Sequence, residues 1–280
     1  NTNVASLTAL ESNTQVNENL RNSLEKLSSG LRINKASDDA SGLAIADKLR
    51  TQASSITQAV ANGNSAVTLI QIADKAMAEQ SNILDIVKQK LIQAATATTS
   101  DVGRAAIGKD ISKLLTQLNE IANQTNYNGI NLLQGASANA ITSKLTFQMG
   151  EKAGNVASLA SGMKANTAGL TGMSALKISA TTGTWSAGGA RAFMTKIDSA
   201  LNQLNAWRGD FGSTQNQIES AIRNMMTQVT NIKAAESVIR DVDYAAESAN
   251  FNKLNIIAQA GTYAISQSNQ VQQSVLKLLQ

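Results

Sequence analysis

From Phe193 onward, apolar and small residues recur at alternating intervals of four and three. The row is Phe193, Ile197, Ala200, Leu204, Trp207, Phe211, Thr214, Ile218, Ala221, Met225, Gln228, Ile232, Ala235 and Ile239, and only Thr214 and Gln228 in it are polar. A 3.5-residue repeat held for about six heptads predicts one long helix with a coiled-coil seam, not the wider stripe of an ordinary surface helix. At ~1.5 Å per residue that helix would be roughly 70 Å long. A second row runs Ala46, Leu49, Ala53, Ile56, Val60, Gly63, Val67, Ile70, Asp74, Met77, Ser81, Leu84, Lys88, Leu91, Ala95. It weakens at Asp74, Ser81 and Lys88, where Ala73, Ile83 and Val87 flank it and can turn inward. Asn62-Gly63-Asn64 has turn propensity, yet the row keeps phase from Ile56 to Val67, which predicts an unbroken helix.

A third row, Ile107, Ile111, Leu114, Leu118 and Ile121, follows the polar link ATATTSDVG, with Asp101 or Ser100 as its N-cap. The two ends are striped more thinly. Leu20, Leu24, Leu27 and Leu31 lie at the front, with Asn17, Asn13 and Leu10 in register behind them. Leu254, Ile257, Gly261, Ala264, Ser268, Val271, Val275 and Leu278 lie at the back. Small seam residues allow close helix approach but bury little area, and such helices are marginal alone in water. The ends are therefore expected to need each other and further copies of the chain.

The middle, roughly 128 to 190, has a different texture. Asn128-Gly129 predicts a tight turn. Lys144–Met149 and Ala175–Ala180 alternate like short strands among Gly, Ser, Thr and Ala. The expected fold is mainly α: an elongated antiparallel coiled-coil or helix bundle, a few β-hairpins at one end, and paired N- and C-terminal helices. Leu27 to Arg50, LSSGLRINKASDDASGLAIADKLR, is then the joint between two stacked layers. Gly30 relieves the first helix there, and Ser37, Asp38 or Asp39 caps the second.

Composition narrows the chemistry. The 280 residues contain no Cys, His or Pro, with 3% aromatics and a net charge of +4. Thiol and imidazole nucleophiles, disulfides and nearly all structural zinc sites are excluded. No strong helix breaker interrupts the rows. No block of basic residues stands out, so nucleic acid is not an expected partner. No apolar run is long enough to cross a membrane. NTNVASLTAL carries neither a basic n-region nor a long apolar h-region, which leaves open the cytosol or an exit route without a cleaved signal.

Five segments carry a resemblance: NTNVASLTAL, LSSGLRINKASDDASGLAIADKLR, YNGINLL at 127–133, IRDVDYAAESANFNKLNIIAQAGTYAISQSNQ, and VLKLLQ. Together they resemble bacterial flagellin over about 1–150 and 190–280. The resemblance implies a structural subunit, not an enzyme, that polymerises into the flagellar filament used for swimming, outside the cell. It implies no cofactor. It implies an inner coiled-coil layer from 1–40 and 241–280, and a helical shell from 41–150 and 191–240 around a short variable region at 151–190. Inner-tube assembly would fall to Leu20, Leu24, Leu27, Leu31, Leu254, Ile257, Gly261, Ala264, Val271, Val275 and Leu278.

Implied partners are further copies of the chain, an export chaperone at the C-terminal segment, and the filament cap and hook–filament junction proteins. Export would be unfolded, through a flagellar type III apparatus. Many flagellins carry an Arg, Leu and Glu cluster read by a Toll-like innate receptor. Here Lys88, Gln89 and Lys90 replace an Arg, a Glu and a Leu, so that recognition is not expected. The sequence starts at Asn1, where flagellins have a few earlier residues, and Trp185 and Trp207 are not placed by the resemblance.

The remaining candidates weigh toward structure. Asp38-Asp39 lacks a third ligand at metal spacing, so capping is favoured. Asp241, Asp243 and Glu236 are expected to cap and to pair with Arg240. Arg32 at the joint is a candidate for an ion pair between subunits. Ser158, Ser161, Thr167, Thr171 and Ser174 are either O-glycosylation sites or ordinary polar loop residues. The rival readings are a hook–filament junction protein and a non-flagellar secreted coiled-coil protein. An enzyme grafted into the insert is disfavoured, since no H-E-x-x-H exists.

Overall fold

The long rows become long helices. The computed structural model describes residues 3–134, 145–159, 163–182 and 186–278, with side chains to residue 271. In chain order the elements are α1 (Val4–Ser29), α2 (Ala40–Ala95), α3 (Asp101–Gln124), β1 (Asn126–Tyr127), β2 (Ile130–Asn131), β3 (Leu145–Gln148), β4 (Val156–Leu159), α4 (Met173–Thr182), α5 (Ala187–Arg240) and α6 (Tyr244–Leu278). The chain divides into two compact units, Asn1–Ser54 with Gln228–Gln280, and Ser55–Thr227.

The Ser55–Thr227 unit holds the main apolar core. Ile70, Met77, Leu84 and Leu91 from α2 are buried with Ile111, Leu115 and Leu118 from α3. Ile197, Leu204, Phe211 and Ile218 from α5 complete it. Where the α2 row turns polar, charge pairs take over: Asp74 accepts from Arg208 Nε at 2.8 Å, and Lys88 Nζ lies 2.5 Å from Asp198. Ala73, Ile83 and Val87 turn inward beside them, as the pattern predicts.

α2 passes through Gly63 without interruption. A Cβ on Gly63 would lie 2.9 Å from Ile222 Cγ1 and 3.0 Å from Met149 Cε. The glycine thus marks a close approach of α5 and the segment after β3, not a turn. Ser100 caps α3 by accepting from Gly103 N.

Among the described residues, the β elements are two separate antiparallel hairpins. In the first, Asn126 pairs with Asn131 and Tyr127 with Ile130, leaving Asn128-Gly129 as a two-residue loop. Both loop residues have positive φ, 50° and 78°, as a type I′ turn requires. The second pairs Leu145–Gln148 with Val156–Leu159. Lys144, Ser161 and Trp185 lie outside the described residues.

The strand expected at Ala175–Ala180 is overturned, because this stretch forms α4. Leu176, Ile178 and Ala180 alternate, but Leu176 and Ala180 also stand four apart, with Met173 three earlier. Those three are buried, whereas Ile178 is 66% exposed. The helical period controls the packing.

Candidate assembly surface

In the unit formed by both chain ends, α1 and α6 pair antiparallel. Asn3 Nδ2 reaches Ser268 at 3.4 Å, Ser6 Oγ donates to Asn269 Oδ1 at 3.1 Å, and near the other end Ser23 Oγ donates to Glu247. Asn3 also caps α1 by accepting from Ser6 N at 3.1 Å.

The seam of α1 consists of Ala9, Asn13, Val16, Leu20, Ser23 and Leu27. That of α6 consists of Glu247, Phe251, Leu254, Ala258, Gly261, Ile265 and Ser268. These are the less exposed positions of each helix, yet Ser23, 2% exposed, is the one fully buried side chain of α1 among the described residues. A seam so rich in Asn, Ser, Ala and Gly buries little apolar area.

Both seams are turned from the stripes expected in the sequence. Leu20 and Leu27 stay in the α1 seam, but Leu24 is 54% exposed, as are Leu7 and Leu10 to a similar degree. On α6, Leu254 and Gly261 stay in the seam, while Ile257, Ala264 and Val271 face out with Ile256 and Tyr263. The side chains of Val275 and Leu278 lie outside the described set. Ser23, Glu247, Phe251 and Ile265 lie outside the expected stripes, which follow the densest large apolar residues. The signal available was a second heptad row through Val16 and Ser23, matched by one through Phe251, Ala258 and Ile265.

At the turn after α1, Gly30 takes φ 74° and closes the helix by donating its N–H to Lys26. The two chain ends are fastened there by backbone: Val242 N donates to Gly30 O at 3.0 Å, and Arg32 N to Arg240 O at 2.6 Å. The Arg32 guanidinium donates to Ile239 O at 2.6 Å, so its contact is within the chain. Arg240 donates to Ile33 O at 3.3 Å and lies 3.9 Å from Asp47, not paired with Asp241 as expected. Asp243 caps α6 through Ala245 N and Ala246 N.

The acidic pair divides its work. Asp39 caps α2 by accepting from Gly42 N at 2.8 Å. Asp38 accepts from Asn34 N at 3.0 Å and Lys35 N at 2.9 Å, which holds its carboxyl below the ordinary value of 3.8. A lowered carboxylate favours the folded turn above its unfolded pKa, and that contribution is lost as pH falls through the folded value. The turn at residues 34–38 is therefore expected to loosen as pH falls, and Asp38→Asn is expected to lose that pH dependence. Amide exchange of Asn34 and Lys35, followed from pH 5 downward, checks this; equal acid response in Asp38→Asn would contradict it. Lys35 is raised by its bond to Glu25.

The stretch matching the innate-receptor cluster lies in the other unit. Lys88 is engaged by Asp198 and Lys90 by Asp110 at 2.9 Å, with Asp110 held below its usual value by that lysine; Gln89 is exposed. Among the glycosylation candidates, Ser158 is exposed on β4 and Thr171 meets Gln203 at 3.3 Å. Ser174 Oγ donates to Thr167 O at 2.8 Å. Thr167 itself is 7% exposed, so a sugar could reach it only by opening that loop.

Comparison with known proteins decides the family. A model described as bacterial flagellin N-terminal helical region matches residues 1–138, and one described as bacterial flagellin C-terminal helical region matches 194–279. The chain belongs to the bacterial flagellin family. Its function class is therefore that of a structural subunit of the flagellar filament, part of the extracellular flagellum.

A flagellin of Bacillus subtilis is 35% identical over 100% of this chain and 99% of its own. A flagellar filament 33 kDa core protein of Treponema phagedenis is 32% identical over 100% and 99%. Among solved structures, a flagellar hook-associated protein of Vibrio parahaemolyticus shares the fold at 13% identity and a TM-score of 0.50, covering 81% of this chain and 100% of that one.

Proposed function

We propose that this flagellin polymerises by burying the outward apolar rows of its paired ends against neighbouring copies. The observation that carries this reading is the set Leu7, Leu10, Leu24, Ile256, Ile257, Tyr263 and Val271, large side chains left open along α1 and α6. Exposed apolar rows on a weakly buried helix pair are stabilised when copies cover them. A contact between different faces of identical subunits does not close on itself and generates a helical filament. The mechanism is assembly, without a catalysed reaction.

A pair buried so thinly opens easily in the free chain, which suits export in an unfolded state and ordering at the growing tip. A chaperone covering α6 would keep its apolar row from premature contact. The cap and junction proteins would meet the same end surfaces. The Toll-like receptor is not a partner in this reading, since Lys88 and Lys90 replace the anchors and already face Asp198 and Asp110.

The test is seeded growth. Purified chain added to short filament seeds is expected to elongate them, seen by electron microscopy as uniform filaments of about 100–200 Å width, a scale set by stacked ~10 Å helices. Chain that stays soluble beside competent seeds would defeat the proposal. A hook–filament junction protein would be scarce in sheared surface protein, whereas a filament subunit would dominate it.

A further inference from the structure

The sequence holds two Asn-Gly pairs, Asn62-Gly63 and Asn128-Gly129, and the fold places them in opposite surroundings. In such a pair the asparagine amide stands beside a backbone nitrogen that no Cβ crowds. We propose that Asn128-Gly129 is a self-modification site. Gly129 N attacks Asn128 Cγ and converts the asparagine to aspartyl and isoaspartyl forms, while the fold protects Asn62. The step balances with water alone. Gly129 N–H gives its proton to hydroxide, the bond from N to Cγ forms, the bond from Cγ to Nδ2 breaks, and the leaving nitrogen takes a proton from water to depart as ammonia. The five-membered imide then adds water at either carbonyl. Opening on one side gives the aspartyl form; opening on the other gives the isoaspartyl form, whose main chain runs through the former side chain.

Asn128 and Gly129 are both exposed, and a Cβ on Gly129 would meet nothing within 4 Å. Among the described residues, neither the Asn128 side chain nor Gly129 N has a hydrogen-bond partner. The turn must leave its I′ geometry for the two atoms to meet. Little holds it: the pairs Asn126 with Asn131 and Tyr127 with Ile130, and the bond from Leu132 N to Thr125 O at 3.1 Å. So short a ladder opens at small cost. Asn62 is held on every side. Its Oδ1 accepts from Gln58 Nε2 at 3.1 Å, and its Nδ2 donates to Gln148 O at 3.3 Å. Gly63 is buried in mid-helix under Ile222 and Met149, and its N–H belongs to the helical ladder. Attack there requires opening α2 beside the core, which costs far more than fraying a hairpin.

Conversion has a consequence for the hairpin. Either product sets a carboxylate on a turn that was neutral. The isoaspartyl form also lengthens the main chain by one carbon, which ends the I′ pairing that aligns Tyr127 with Ile130. The test is incubation of the folded full chain in mildly alkaline buffer made with heavy-oxygen water, followed by peptide mapping in a mass spectrometer. The peptide holding position 128 should gain one heavy oxygen and appear in both aspartyl and isoaspartyl forms. Its conversion should be at least about a hundredfold faster than that of the peptide holding Asn62. In denaturant both ladders are gone, so the two asparagines should convert at similar rates.

Direct hydrolysis of the side-chain amide would give the aspartyl form alone, so absence of the isoaspartyl form at position 128 overturns the proposal. Conversion of Asn62 in step with Asn128 in the folded chain overturns it as well. A difference that persists undiminished in denaturant would belong to the neighbouring sequence and not to the fold, and would defeat the claim of structural selection.

Discussion

Leu24→Asp is expected to abolish filament growth while leaving the thermal unfolding of the Ser55–Thr227 unit unchanged. Leu24 is largely exposed in the single chain, so the substitution removes little that the chain itself buries. Exposed replacements of this kind usually change stability by less than about 0.5 kcal/mol. Against a neighbouring copy the balance reverses. A covered leucine contributes about 1.5–3 kcal/mol, and an unpaired carboxylate in its place costs several more. The loss recurs at every subunit added, so elongation stops instead of slowing. Seeded growth followed by light scattering, with calorimetry of the same sample, checks both halves. Normal filament yield from Leu24→Asp would remove the leucine row of α1 from assembly.

Phe211→Ala should behave in the opposite way. Phe211 is 1% exposed, in a core shared with residues of α2, α3 and α5. Deleting a buried phenyl group leaves a cavity and costs about 3–5 kcal/mol, a large share of the roughly 5–15 kcal/mol that holds a domain folded. The midpoint of thermal unfolding should fall by roughly 10 °C or more. Seeded growth below that midpoint should survive, because the outward rows of α1 and α6 are untouched. A midpoint within about a degree of the parent would mean that the core is not organised around this helix. Together the two substitutions separate what folds the chain from what joins it to others.

Much of this was legible in the residues. The alternation from Phe193 to Met225 became the buried edge of α5 almost position for position, because each row member faces other helices of the same chain. Continuity through Gly63 was legible from phase alone, and the hairpin turn from Asn128-Gly129. Where burial is shared with other copies, reading the sequence as a single chain fails. The stripes of α1 and α6 are legible as apolar and as shared between the two ends and further copies, but which residues serve which contact is not. Leu24, Ile257, Ala264 and Val271 face outward, and Ser23 and Glu247 stand in the seam. Ala175–Ala180 failed for another reason: in a short segment, Leu176 and Ala180 satisfy both the strand and the helix period, and Met173 breaks the tie only once the flanking backbone is known to be helical.

The α1–α6 pair draws its two halves from opposite ends of the polypeptide. Whichever end is made or delivered first must wait for the other before the pair can close. A chain cut short during synthesis lacks α6 altogether, so its α1 has nothing to zip against and presents no finished lateral face. The fold thereby makes a finished lateral face depend on the presence of α6.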